Sequence, residues 1–494
     1  MKKTLLSIAF LAVVISSCKK DKTSEIDELK DKVYEYAQEV YLWYDALPAA
    51  NSFNPRQFSG SSDLNALQNE IDALSQIKIN PSTDKPYEYD ASFPGTAKYS
   101  YIDGGEAATS IGGTGTDFGF SLSYANASYN DLRIRYVYPN SSAATQNLLR
   151  GYRVLAVNDG SVTATTGSNS DPVIIRLNQA LSSNSMKLNV QRFDGTTFTT
   201  TVTKGSYTTN PVIKYSTITS ATGKKVGYFA FSRFTVLDNA KPKIDEAFSK
   251  FAADNVTELV IDLRYNGGGS VETAEYLANY MVPAAMNNTI MFTEYYNNKM
   301  QSGNHPVLSK DYNVKAGQFS LASNTYKFSK IGGLNLNQVF FIVTSRTASA
   351  SELVINNLKP ALPQGVKLIG QTTYGKPVGF FGIKIGDYDM YLAEFESRNA
   401  EGKADFYQGM IPGSNFAGYI ASDDVTKDFG DPTENLLSRA ISYIDKGTYI
   451  VTNVKGQNSI SGTEEAKLRG VNQLLDNKHD FSGAVHDSNL KRIQ

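Results

Sequence analysis

Residues 345–354 read SRTASASELV, with Ser345, Ser349 and Ser351 close together and Glu352 directly after the last of them. A serine hydroxyl becomes a nucleophile once a base takes its proton. The same residues have a second reading. Ser349-x-x-Glu352 fits a capping box, in which the serine caps a helix and the glutamate reaches back to it. Both readings put a helix N-terminus just after Ser349. That is where developing negative charge meets the positive end of a helix. Taken alone, these residues leave both readings open.

A nucleophile needs a base. The histidines are His305, His479 and His486. The last two fall in a polar stretch, and His305 sits in GNHPV, a loop pattern. A lysine can serve instead when burial lowers its pKa enough to leave it neutral. Lys376, in TTYGKP, follows a strand-like run, although a turn lysine in water reads the same way. An acyl-transfer site also needs donors for an oxyanion. NGGG at 266–269 offers backbone N–H groups with no side chains in the way, and is otherwise a tight turn.

The elements around these segments have an α/β rhythm. KVGYFAFSRF (225–234) reads as a strand. AKPKIDEAFSKFAAD (240–254) reads as a helix with Ile244, Phe248 and Phe251 on one face. ELVIDLRYNGGGS (258–270) is a buried strand running into the glycine turn. An apolar strand from Val339 to Val343 runs through a turn into a helix. KLIGQTTYGKP (367–377) and MYLAEFES are further strands, and ENLLSRAISYI (434–444) is a closing helix. Continuous apolar strands alternating with helices predict a sheet buried on both faces, with ligands beyond the carboxyl ends of its strands. All three candidate segments lie there.

Upstream the texture differs. Residues 24–47 carry apolar positions at helical spacing, stopped by Pro48. From about 115 to 207 the chain alternates as strands: DFGFSLSY, DLRIRYVYP, a short helix in SSAATQNLL, turns at Gly151 and Asn158-Asp159-Gly160, and a hairpin about Asp194-Gly195. The final fifty or so residues are polar and sparse in apolar spacing, which predicts a loosely held extension.

The chain has 494 residues, with 48 Lys and Arg against 49 Asp and Glu. This balance gives no electrostatic reason to expect nucleic acid. Hydrophobic residues at 41% and charged residues at 20% are ordinary for a globular protein that buries real cores. The N-terminus, MKKTLLSIAFLAVVISSC, has two lysines, a short apolar run and small residues, as a secretory signal does. It ends at Cys18, the single cysteine of the chain, which excludes disulfides within the chain and a thiolate metal site. Ile15-Ser16-Ser17-Cys18 resembles a bacterial lipobox, which implies a lipid anchor at Cys18 and a place in the cell envelope. No histidine–carboxylate cluster has ligand spacing, and no cofactor is called for.

Two resemblances extend this reading. The order of elements over 111–207 resembles a PDZ domain, with FGFSL in the place of its carboxylate-binding loop and RGYRVLAVNDGSV matching a later strand and turn. That implies capture of an extended peptide by its C-terminus, with Phe118, Gly119, Phe120 and Leu122 at the binding site. DLRYNGGG (262–269), TASASE (347–352) and TYGK (373–376), in this order and after such a domain, resemble the carboxyl-terminal processing peptidases, or tail-specific serine proteases.

The resemblance spans about residues 30–445. It implies Ser349 as nucleophile, Lys376 as general base, Glu352 as a supporting carboxylate, and Gly268 and Ala350 as oxyanion donors. It leaves Ser351 a structural neighbour. The expected fold is α/β: a mixed-sheet, crotonase/ClpP-like peptidase core with an inserted PDZ-like domain and an N-terminal helical cap. The expected boundaries are 1–18 signal peptide, 19–110 tether and helical region, 111–207 PDZ-like domain, 208–447 peptidase core and 448–494 polar extension. Substrates are proteins or peptides with accessible C-termini.

The chain departs from the pattern after the lysine. The family has a glycine there and then a glutamine that holds the lysine. This chain has Pro377 and, at the glutamine position, Phe380. A phenyl ring accepts no ordinary hydrogen bond from an ammonium but dries its surroundings. The departure favours an alternative, a catalytically weak homologue that binds peptides. A third reading takes His305 as base. The lipobox generates a direct prediction: Cys18→Ala releases the protein from membranes, scored by fractionation, and retention of the variant refutes the anchor.

Overall fold

The three candidate segments leave one sheet of six strands. In the computed structural model, which describes residues 22–450, 462–475 and 483–485, its order is Val212–Thr219, Lys225–Phe231, Glu258–Asp262, Val339–Val343, Val366–Gly370 and Gly418–Ile420. The first pair is antiparallel and every later pair parallel. Side chains alternate across this sheet. Phe229, Phe231, Ile261, Phe341 and Leu368 join one apolar cluster with helices Leu237–Ala253, Val271–Met281 and Ala350–Ala361. Tyr228, Ala230, Val260, Phe340 and Ile342 join another with helix Asn435–Lys446. Both faces are covered, which is why these strands read as unbroken apolar runs.

A second six-stranded sheet lies beside the carboxyl ends of the first. Its order is Gly268–Ser270, Gly483–Val485, Val378–Phe380, Phe395–Asn399, Ile290–Tyr296 and Thr325–Lys327. MYLAEFES, expected to be one strand, is the end of one and the start of another. Tyr388–Tyr391 pairs with Ile383–Ile385 and Tyr101–Asp103, whereas Phe395–Asn399 belongs to the second sheet. The corner between them is held from the N-terminal region. The Leu42 N–H donates to the Ala393 carbonyl at 2.8 Å, and the Ala393 N–H donates to Ser100 Oγ at 3.1 Å.

The N-terminal region is thus more than a cap, since it contributes a strand. Its first helix, Lys22–Val40, stops earlier than Pro48, and the aromatic run after it packs inward. Residues between Thr114–Gly115 and Tyr207–Thr208 form a separate antiparallel unit, and those two short strands pair with each other at its base. Its sheet runs Thr197–Thr203, Ser185–Gln191, Arg153–Val157, Leu132–Val137 and Phe120–Tyr124, with Phe120–Tyr124 at one edge. Arg150 ties the unit to the core. It donates to Asp423 at 2.8 Å, to the Tyr265 hydroxyl at 2.6 Å and to the Lys427 carbonyl at 3.0 Å.

The polar extension corrects an expectation. Its described parts are packed. Helix Gly462–Leu474 lies on the edge strand, with Val471 and Leu475 buried in the cluster of that unit, and Gly483–Val485 is a central strand of the second sheet. Leu468, Val471 and Leu475, three and four residues apart, seat this helix, a short apolar stripe in an otherwise polar stretch. Cys18, His479 and His486 lie outside the described residues. Among the described residues, no helix is long and apolar enough to cross a membrane.

The arginine of DLRYNGGG proves to be a fold element. Arg264 is buried and pairs with Asp262 at 2.7 Å, Asp423 at 2.6 Å and Glu434 at 3.0 Å. Glu434 in turn caps helix Asn435–Lys446 through the N–H groups of Leu436 and Leu437. Arg264→Ala strands Asp262 and Glu434 without a counter-charge, while Asp423 keeps Arg150, and is predicted to cost roughly 3–5 kcal/mol of unfolding free energy, as breaking a buried pair does. Denaturant melts read the loss.

Candidate functional site

Ser349 stands at the N-terminus of helix Ala350–Ala361, but not as an ordinary cap. A capping residue keeps an extended backbone and its hydroxyl receives a helix N–H. Ser349 instead has φ 58° and ψ −109°, a conformation costly for a side chain with a Cβ, and its buried Oγ has no hydrogen-bond partner. The reciprocal half of the box is made, since the Ser349 N–H donates to Glu352 Oε2 at 2.8 Å. The serine is therefore held by its backbone, with the hydroxyl unspent.

Glu352 does more than close a cap. Its Oε2 also accepts the Lys376 N–H at 2.8 Å, and its Oε1 accepts the Gly375 N–H at 2.7 Å and the Thr373 hydroxyl at 2.5 Å. One buried carboxylate thus pins both backbones that the sequence singled out. Burial pushes its pKa up, and the four donors around it work in the opposite direction. Thr373, which also accepts the Met410 N–H at 2.8 Å, had no sequence signal beyond its place in TTYGK.

Lys376 is buried in a pocket of rings. Its Nζ lies 3.9 Å from the centre of the Phe380 ring and 5.7 Å from that of Tyr99, and donates to the Tyr99 carbonyl at 3.2 Å. Desolvation lowers its pKa to about 7, with the nearby cation of Lys98 adding to the effect; Glu88 and Glu352 oppose it. Phe380 stands over the amine where a glutamine would have bonded it. The ring supplies dryness together with a weak cation–π attraction, and the carbonyl of Tyr99 accepts a hydrogen bond from the amine. Tyr99, from the N-terminal region, lies too far off in sequence for spacing to have found it.

The glycine run sits beside the serine. A Cβ at Gly268 would stand 3.1 Å from the Ala350 nitrogen, and the φ of Gly268 is 108°, a value suited to glycine. The Gly268 N–H donates to Asn266 Oδ1 at 2.9 Å, so in this conformation the neighbouring side chain takes it. Asn266 organises more of the loop. Its carbonyl accepts the Ala348 N–H at 3.1 Å and the Ser351 hydroxyl at 3.0 Å, which gives Ser351 a structural post. His305 is occupied elsewhere: its Nδ1 pairs with Ser309 Oγ at 2.8 Å and its ring meets Phe319 edge-on.

The residues expected to bind peptide lie apart from this cluster, in the antiparallel unit. Phe118, Phe120 and Leu122 are buried in one cluster with Val471 and Leu475. At Gly119, φ is 79° and a Cβ would fall 1.9 Å from that of Ser141, so only glycine fits. Its N–H donates to Asp117 Oδ1 at 2.7 Å, which already supplies a carboxylate there.

This arrangement brings together a strained serine with a free hydroxyl, a near-neutral lysine and backbone donors at a helix start. It is equipped for acyl transfer. Residues 225–402 match the model of a family described as Peptidase family S41. No curated protein matches the chain. Among solved structures, one described as an S41 protease from Bacteroides fragilis NCTC 9343 is 21% identical over 84% of this chain and 97% of its own, with a TM-score of 0.58, a likeness of fold. A structure of the photosystem II D1 C-terminal processing protease is 14% identical over 83% of this chain and 99% of its own, at a TM-score of 0.43. A structure of mature CPAF is 13% identical over 87% and 99%, at 0.46.

The lysine gives a direct prediction. In the folded protein Lys376 loses its proton near pH 7, and in the unfolded chain only near 10.5. The unfolded state holds the extra proton between these values, so the cost of burying this amine falls, and stability rises, as pH rises across that window. A carbon NMR titration of labelled lysine is expected to show one Nζ with a midpoint of about 7, absent in Lys376→Met.

Proposed function

From the match of residues 225–402 to the model of peptidase family S41, we propose that the chain is a serine endopeptidase working through Ser349 and Lys376. The observation that carries the reading is the shared carboxylate of Glu352, which holds the backbones of both residues at one oxygen. Neutral Lys376 takes the Ser349 proton, and Oγ adds to a peptide carbonyl. The Ala350 N–H receives the oxyanion, joined by the Gly268 N–H once Asn266 releases it. The tetrahedral intermediate collapses, the amine leaves with the proton held by Lys376, and water, deprotonated by the same lysine, hydrolyses the ester.

The dyad closes only if the Lys376 amine swings from the Tyr99 carbonyl to Ser349 Oγ. Catalytic hydrogen bonds in unliganded enzymes commonly tighten on binding, so the swing belongs to substrate engagement. The antiparallel unit of residues 111–207 serves as the PDZ-like peptide receptor, working through its edge strand Phe120–Tyr124. The lipid at Cys18 anchors the enzyme to the cell envelope. A second reading, a peptide-binding homologue with little turnover, is favoured by the amine resting on Tyr99 and by Asp117 filling the Gly119 donor.

A serine-directed covalent probe separates the two. Labelling at Ser349 in the wild type, with label and peptide cleavage lost in Ser349→Ala and cleavage reduced at least about 10³-fold in Lys376→Ala, is the expected result. Cleavage should rise with pH to a plateau above about 7. A wild type that binds C-terminal peptides but neither labels nor cleaves them decides for the binding protein. Full activity in Lys376→Ala with a dead His305→Ala overturns the dyad.

A further inference from the structure

The second sheet contains a gap in sequence order. Its strands Gly268–Ser270 and Val378–Phe380 flank the site, and the strand between them comes from more than a hundred residues further along. We propose that the space between these two strands is a binding slot for an extended peptide, and that residues 483–485 of this same chain are its resident occupant, which a substrate must displace. The proposal deepens, and rests on, the peptidase reading above.

The occupant is paired on both sides. Gly483 stands opposite Gly268, Ala484 opposite both Gly269 and Gly379, and Val485 opposite both Ser270 and Phe380, parallel to each neighbour. The Gly483 N–H donates to the Gly267 carbonyl at 3.0 Å. Take the segment away and two strands present unpaired backbone edges to a cleft, the arrangement that recruits a peptide strand. The slot also lies at the reacting centre. A Cβ at Gly268 would be 2.6 Å from the Gly483 carbonyl oxygen and 3.1 Å from the Ala350 nitrogen. A main-chain carbonyl of the occupant thus sits beside the expected oxyanion donor.

The occupant also shows what the slot accepts. Gly483, which has no side chain, stands opposite Gly268. Val485 packs with Ala107, Ile111, Phe380 and Tyr391. This pocket selects an aliphatic side chain, and its floor is the ring that covers the Lys376 amine. A substrate strand that fills it therefore bears directly on the base.

The same stretch of chain covers the other peptide-accepting edge. On the strand Phe120–Tyr124, Asn472 imitates a neighbouring peptide group. Its Oδ1 accepts the Tyr124 N–H at 2.7 Å and its Nδ2 donates to the Tyr124 carbonyl at 3.1 Å. Val471 and Leu475 fill the apolar cluster beneath. With both edges taken, the Ser349 hydroxyl is unbonded and the Lys376 amine rests on Tyr99. These are the features of a resting state.

The test uses the full chain with Gly483→Pro, which removes the N–H given to Gly267, and independently Val485→Asp, which places a charge in the aliphatic pocket. Backbone amide exchange is followed at Gly268–Ser270 and Val378–Phe380, alongside cleavage of peptides carrying Gly-Ala-Val-like segments. Both variants are expected to exchange about tenfold faster or more in these two strands, with helix Ala350–Ala361 unchanged, and to cleave several-fold faster at low substrate. Unchanged exchange in both strands in both variants overturns the resident occupant. Faster exchange with no cleavage by any form keeps the slot and refutes the peptidase reading. Cleavage by the wild type with no change in either readout does the reverse.

Discussion

One carboxylate holds the site together. Glu352 accepts from the backbones of Ser349, Gly375 and Lys376 and from the Thr373 hydroxyl, all inside a region closed to water. An ionised acid in such a place is costly unless its lone pairs are filled, and here each oxygen has two donors. The two chain segments that carry Ser349 and Lys376 are also tied by the Tyr374 N–H, which donates to the Thr347 carbonyl at 2.9 Å. One enters the helix Ala350–Ala361, and the other leaves the strand Val366–Gly370 through a long turn. The carboxylate converts two loops into a single rigid piece, and it lets Ser349 keep a backbone conformation that an isolated turn would relax.

The environment of the lysine comes from elsewhere. Tyr99 lends its carbonyl to the amine and its hydroxyl to the Gly375 carbonyl at 2.6 Å, while Lys98 donates to that same carbonyl at 3.2 Å and to Tyr407 at 2.9 Å. Behind them Trp43 stacks on Tyr87 at 4.6 Å, and Tyr87 meets Tyr407 edge-on at 5.3 Å. The aromatic run near the N-terminus thus has a chemical consequence. It walls the lysine turn from solvent, and desolvation is the leading cause of the lowered pKa. Removing the N-terminal region would expose Lys376 as well as part of the core.

Much of this was legible in the residues. The unbroken apolar strands announced a sheet covered on both faces, and the three motifs at their ends proved to be neighbours in space. Whether Ser349 spends its hydroxyl on the helix cap was not legible, because that turns on a backbone angle. Nor was the post held by Tyr99, since its partner lies in a distant segment and a main-chain carbonyl leaves no mark in side-chain identity. The described extension was misread for a similar reason. Gly483–Val485 is bound through its backbone on both sides, and backbone pairing asks for little more than small residues. Arg264 looked like part of a catalytic motif and is instead the counter-charge of a buried acidic cluster.

The short ladder at the base of the antiparallel unit has a mechanical meaning. A body of five main strands leaves and rejoins the core through two short paired strands, Thr114–Gly115 and Tyr207–Thr208. Beside them the unit is held to the core by the buried guanidinium of Arg150, which grips Asp423 and the Tyr265 hydroxyl, and by Tyr136 and Tyr138, which share an apolar cluster with Tyr228 and Val260. Tyr265 is itself part of the stretch that leads into the glycine run. Any swing of the unit must first unseat this grip, and in doing so would tug on the loop that presents Gly268.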